Sequence, residues 1–181
     1  PAVIFLKKQI LKGNLGNILF FVAQRTNLGP IRKDVNAMWD LASHDVSTIL
    51  YLTDLKPVSV NALGVGYLNN RLEDVVQLSI KFEGRVFASI IVSWLAPVKI
   101  RNLTIVGDRK MAIFDDVGID TQFRIFDKTV VELEKGQSIP FSKFKDLSLY
   151  QGDIIIPKLP SREPLKDEVL NFVNSVMGKE L

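Results

Sequence analysis

The hydrophobic and polar positions fall into two rhythms, and the clearer one occupies the middle of the chain. Val76, Leu78, Ile80 and Phe82 alternate with Gln77, Ser79 and Lys81, the period of two expected of a strand with one buried face. Glu83-Gly84-Arg85 supplies a turn, and Val86, Ala88, Ile90, Val92 and Trp94 resume the period on the way back. Apolar runs at 17–26, 58–68 and 98–106 predict further strands, and Gly107-Asp108-Arg109-Lys110 turns the last of them into a short partner at 111–114. Residues 122–126 and 129–133 predict one more hairpin, turning at Asp127-Lys128. The stretch 134–160, with Pro140, Gly152, Pro157 and Pro160, reads as long and irregular.

Three segments follow the helical rhythm instead. Residues 2–12 place Val3, Ile4, Leu6, Ile10 and Leu11 near helical spacing, with Gly13 as the stop. Residues 36–52 predict a second helix that ends before Pro57. A third opens at 161–164 and runs to 177, with Leu165, Val169, Phe172, Val173 and Val176 on its expected buried side. Hairpins in succession imply an α+β fold, a large and mainly antiparallel open sheet with the helices packed on one face. The other face carries Val, Ile, Phe and Trp that water tolerates badly, so a second subunit is its expected cover.

The second helix carries the candidate chemistry. Stepping about 100° per residue puts Asn36, Asp40, Ser43, His44, Ser47 and Tyr51 on one side. Met38, Leu41, Ala42, Val46, Ile49 and Leu52 fall on the other. His44 is the single histidine of the chain and stands four residues after Asp40, one helical turn away. An imidazole titrates near neutrality, so a neighbouring carboxylate can poise it for proton transfer. An ordinary surface histidine is the competing reading. A zinc site would lack a second His and any Cys, and no nucleophile elbow surrounds Ser43 or Ser47. Asp45 lands on the apolar side, where a carboxylate needs backbone donors or a cation, so it reads as structural.

Composition narrows the classes. A chain of 181 residues with a 47% hydrophobic share suits one domain with an ample core. No apolar run reaches the roughly 18 residues of a membrane span, and no signal-peptide plan opens the chain. With no Cys there is no disulfide, which fits a cytoplasmic protein. The net charge of +3 is modest and its Lys and Arg are scattered, so no nucleic-acid partner is expected. Gly64-Val65-Gly66-Tyr67-Leu68-Asn69 lacks the third Gly of a dinucleotide fingerprint and opens no helix. The chain begins at Pro1 inside a predicted helix. It is therefore expected to be a fragment without a dinucleotide-binding domain.

Several stretches together resemble a known family. They are Leu11-Lys12-Gly13-Asn14-Leu15-Gly16-Asn17-Ile18, Trp39-Asp40-Leu41-Ala42-Ser43-His44-Asp45 and Ser93-Trp94-Leu95-Ala96-Pro97-Val98-Lys99-Ile100-Arg101, followed by 106–116, 152–157 and 163–165. In this order, covering nearly the whole chain, the set resembles the C-terminal domain of the glucose–fructose oxidoreductase, inositol dehydrogenase and MocA family (Gfo/Idh/MocA). The resemblance implies that residues 1–181 are the substrate-binding and oligomerisation domain of a longer enzyme. Its Rossmann half would hold NAD or NADP and supply a Glu-Lys-Pro lysine that this chain lacks.

The activity so implied is an NAD(P)-dependent oxidoreductase acting on a sugar or nucleotide-sugar hydroxyl, inactive as the fragment alone. His44 would be the acid/base and Asp40 its carboxylate partner. Asn36 would bond a substrate hydroxyl, while Arg25, Arg32 and Lys33 would meet anionic groups such as a nucleotide-sugar diphosphate. Trp39, Lys99 and Arg101 would border the cofactor, and no metal is expected. The open sheet face would make a homodimer or homotetramer. Two alternatives stay open: a redox-neutral glycosidase of the same family that uses NAD transiently, and a non-catalytic sugar-binding or assembly module.

Overall fold

The alternating segments build one sheet. The computed structural model describes residues 2–68, 71–118, 122–132, 147–159 and 164–178. In it the strands are β1 (Ile18–Leu28), β2 (Pro57–Val65), β3 (Val75–Phe82), β4 (Phe87–Ser93), β5 (Leu95–Gly107), β6 (Met111–Asp115), β7 (Phe123–Glu132) and β8 (Leu147–Ile155). They lie in the order β2-β3-β4-β1-β5-β6-β7-β8. Neighbours run antiparallel except β1 and β4, which are parallel. A parallel pair requires a crossover, and here the chain leaves β1, crosses through a helix and returns by the β2–β3 hairpin before entering β4. The fold is α+β on a large, mainly antiparallel open sheet.

Register decides which face is dry. Phe21 stands opposite Ala88 on β4 and Ile105 on β5, and Ala23 stands opposite Ile90 and Leu103. All six are buried. On β3 the alternation holds residue by residue, with Val76, Leu78, Ile80 and Phe82 buried and Gln77, Ser79 and Lys81 exposed.

Helices α1 (Ala2–Leu11) and α2 (Ser43–Thr53) cover this face, and Leu6, Ile49 and Leu52 are almost wholly inaccessible. Phe5 meets Phe123 edge-on at 5.2 Å between ring centres, which ties α1 to β7. Lys7 ties α1 to α2. Its ammonium donates to the Leu52 carbonyl at 3.3 Å and pairs with Asp54, the left-handed residue (φ 54°) that ends α2. A cation on the last carbonyls of a helix also complements its dipole. After α1 the chain turns at Gly16, with φ +74°, where an added Cβ would collide with the Asp108 carboxylate. That carboxylate is needed there, because it accepts the Asn17 backbone and side-chain N–H groups at 2.9 and 2.8 Å.

Four expectations are corrected. Asp127-Lys128 is not a turn: β7 runs straight through it, and the register shift between Phe126 and Lys128 absorbs Asp127, whose carboxylate lies 3.5 Å from Lys110 Nζ. Beside β6, β7 pairs with β8, inside the stretch read as irregular, while 133–146 lie outside the described residues. Trp94 belongs to the helix-covered core, at 1% exposure, and not to the open face. The third helix, α3 (Pro164–Val176), turns no apolar side inward: Leu165, Val169, Phe172, Val173 and Val176 are all exposed.

Replacing Ile49 by Ala is expected to cost about 2–5 kcal/mol in denaturant unfolding, because the cavity lies between α2 and a sheet that cannot collapse into it. Val60→Ala, on the exposed edge strand β2, is expected to stay within about 0.5 kcal/mol in the same measurement.

Candidate active site

The helix that carries the polar stripe starts with a widened turn. Residues Met38–Ala42 are π-helical and run without a break into α2. The buried positions explain why. Ala37, Leu41, Asp45 and Ile49 are all inaccessible and repeat every four residues, a spacing an α-helix would rotate off the sheet by about 40° at each step. The wider turn reduces that drift over its own residues, and Asn36, Asp40 and His44, with the same spacing, fall outside the buried row. Such turns occur often at functional sites.

Asn36 lies just before this turn and caps it. Its Oδ1 accepts the Trp39 backbone N–H at 3.0 Å, and its Nδ2 donates to Glu73 Oε2 at 2.7 Å. The Ala37 N–H donates to the Glu73 carbonyl at 2.9 Å. The start of the helix is thereby fastened to the connection between β2 and β3.

Asp45 is 4% exposed, as its position on the apolar side demands, and its cation is Arg25. Nε and a terminal nitrogen of the guanidinium fork the two carboxylate oxygens at 2.9 and 3.0 Å. Fork geometry of this kind is the strongest pairing available to a carboxylate. Arg25, expected from sequence to meet substrate, thus spends its two described bonds on the next residue after His44.

Asp40 sits between two donors. The Trp94 indole N–H reaches its Oδ2 at 3.0 Å, and Arg32 reaches Oδ1 at 3.4 Å. Arg32 also grips Asp34, with Nε 3.0 Å from Oδ1 and a second contact to Oδ2. That hydrogen-bonded Arg32 holds the Asp34 carboxyl below the usual carboxylate range, and Asp34 in turn raises the Arg32 guanidinium. His44 is exposed. Its carbonyl accepts the Ser47 and Thr48 hydroxyls at 2.9 and 2.8 Å, and no hydrogen bond joins its ring to Asp40 among the described contacts.

The remaining candidates lie at the surface. Trp39 is 69% exposed, and Lys33 and Lys99 are exposed, the latter where the β1–β5 register shifts. Arg101 stands directly opposite Arg25, so the two share a face of the sheet. Its guanidinium lies 4.0 Å from Asp116, and its Nε is buried without a hydrogen-bond partner. Among the described residues no three His, Asp or Glu side chains cluster as metal ligands, and no helix is long and apolar enough to cross a membrane.

Sequence reasoning missed Trp94 as a partner of the stripe. The available signal is general: a buried indole N–H needs an acceptor.

The family profile of the GFO/IDH/MocA C-terminal domain matches residues 3–113. The chain belongs to that family. No curated protein matches it. Among solved structures, it is similar to a provisionally assigned oxidoreductase from Magnetospirillum magnetotacticum MS-1, with 24% identity and a TM-score of 0.74 over 99% of this chain and 53% of that one. UDP-N-acetylglucosamine 3-dehydrogenase GnnA from Acidithiobacillus ferrooxidans gives 19% identity and a TM-score of 0.65 over 96% and 52%. Aldose-aldose oxidoreductase from Caulobacter crescentus gives 15% and 0.69 over 99% and 51%. The chain spans about half the length of these relatives.

Removing one member of the buried pair leaves the other uncompensated. Asp45→Ala is expected to destabilise by about 3–5 kcal/mol in thermal or denaturant unfolding. Lys33→Ala, at an exposed position, is expected to leave the same transition in place.

Proposed function

We propose that the chain is the substrate-binding and subunit-assembly half of a nicotinamide-dependent oxidoreductase acting on a hydroxyl of a sugar or nucleotide sugar. One observation carries this reading. The single imidazole of the chain is exposed on a helix whose previous turn holds a carboxylate, and that helix is braced at its start and from behind.

The fit to the cofactor is partial. Gly64 and Val65 lie in β2 and not at a strand-to-helix turn, so among the described residues that motif is no phosphate cradle. They offer a border: the orphaned Arg101 Nε suits an anionic group, and the exposed Trp39 indole offers a flat apolar surface. When bound, a nicotinamide cofactor accepts the hydride that the substrate carbon gives up.

The chain's own work is the proton. His44 takes it from the substrate hydroxyl. The Asp40 carboxylate, one turn away, stabilises the positive charge that then develops on the ring. Lys33, in the loop before the helix, is exposed and can meet the anionic part of a nucleotide sugar, while Arg32 beside it is engaged by Asp34 and Asp40. Arg25 serves the site from behind, through Asp45, and Asn36 serves it by capping the widened turn.

The open face of the sheet supports pairing with a second copy. Phe87, Phe20, Val106, Met111 and Phe126 stand side by side across five strands; Val106 is buried, Phe20, Met111 and Phe126 are half-buried, and the exposed Phe87 ring stacks on Phe20 at 5.3 Å. A row of that kind is poorly suited to water and well suited to another sheet.

In the full-length enzyme, His44→Ala is expected to lower kcat by about 10²–10⁴-fold with the affinity for NAD(H) or NADP(H) retained. Unchanged turnover would remove His44 from the mechanism. Phe20→Glu with Phe87→Glu is expected to yield a smaller species in sedimentation velocity, and an unaltered sedimentation coefficient would place the subunit contact elsewhere.

A further inference from the structure

One buried donor has no part in the proton transfer described so far. Trp94 follows β4 directly and is 1% exposed. Its backbone N–H donates to the Asp74 carbonyl at 3.1 Å. Asp74, equally buried, accepts the backbone N–H groups of Tyr67 and Leu68 at 2.6 and 2.7 Å. Main chain and ring are therefore fixed, since a large side chain in a close-packed interior has no room to turn. From that fixed ring the indole N–H points out of the core, at Asp40 Oδ2 3.0 Å away.

We infer that Trp94 is a positioning residue for the proton transfer, holding the Asp40 carboxylate one turn from His44 through its indole N–H. The inference rests on the reading of Asp40 and His44 given above. An aspartate on a helix surface has two free side-chain torsions and several places to go. Its other contact, Arg32, is longer at 3.4 Å and is shared with Asp34. Only the indole makes a short bond to the Asp40 carboxylate among the described contacts, and it does so from the rigid side. Without it the carboxylate is free to swing toward Arg32 and solvent, where its charge acts less on the imidazole. A backbone carbonyl would satisfy a buried indole equally well. The acceptor used is instead the carboxylate of the polar stripe, 54 residues away in sequence.

The test uses the full-length enzyme with Trp94→Phe and with Trp94 replaced by benzothienylalanine, which keeps the shape of the ring and lacks the N–H. Each is made in the wild-type and in the Asp40→Ala background. Either replacement is expected to lower kcat by about 10- to 100-fold, the worth of a lost hydrogen bond to a charged group, with cofactor KM unchanged. In the Asp40→Ala background neither should lower kcat further. In ¹H–¹⁵N spectra the Trp94 indole resonance, assigned by its loss in Trp94→Phe, should move upfield on Asp40→Ala.

An equal loss in both backgrounds assigns Trp94 to packing alone and overturns the inference. So does full activity of the benzothienyl enzyme, or an indole resonance indifferent to Asp40→Ala. Full activity of Asp40→Ala itself is a different result, and it overturns the reading of the site.

Discussion

A carboxylate on the core side of a helix is one of the least favourable placements a sequence can make, because several kcal/mol of hydration must be replaced by other contacts. Here the Arg25 fork replaces it, and the geometry has a directional effect. With Asp45 held against β1, the rotation of α2 about its axis is fixed. His44, one residue earlier and about 100° away, is then obliged to face outward. The exposure of the imidazole and the rotation of the stripe thus depend on an ion pair that neither contains the imidazole nor touches it.

The same end of the sheet collects the other supports. Because β1 and β4 are parallel, their carboxyl ends lie side by side. Arg25 is three residues from the end of β1, and Trp94 follows the end of β4. Glu73 and Asp74, just before β3, hold the start of the helix and the backbone of Trp94. Ligand sites in parallel sheets gather at the carboxyl ends of the strands. In this sheet the one parallel pair gives the stripe an equivalent location.

Much of this was legible in the sequence, for local reasons. The alternation in β3 and β4 and the two-sided division of α2 are periodic signals, and burial follows both. The odd position of Asp45 was legible too, though its partner was not, since Arg25 arrives from another strand. The bond between Trp94 and Asp40 is non-local in the same way. The strand β8 escaped notice because it is an edge strand with exposed Leu149, Tyr150 and Ile154 and a glycine within it, so it lacks the alternation that one dry face imposes. Asp127 looked like a turn because the chemistry of turns and of strand bulges is similar, and only the pairing with β8 on both sides of it separates them. In α3 the amphipathic pattern is present and the covering surface is not among the described residues, so the pattern predicted a helix correctly and its burial wrongly.

The π-helical turn has an implication for how such a site can change. A five-residue widened turn inside a helix is a phase element: shortening the chain by one residue at Met38–Ala42 would restore ordinary α-helical winding. The lost residue and the tighter winding offset one another, since four α-helical residues turn the chain about as far as the five of the wider turn, so the segment upstream would keep its orientation to α2. Asn36 would keep its alignment with Glu73 and Asp45 its alignment with Arg25, while Asp40, inside the turn, would change place. One codon therefore separates two versions of the same scaffold, with the braced imidazole and the fastened helix start common to both and only the residues of the turn exchanged.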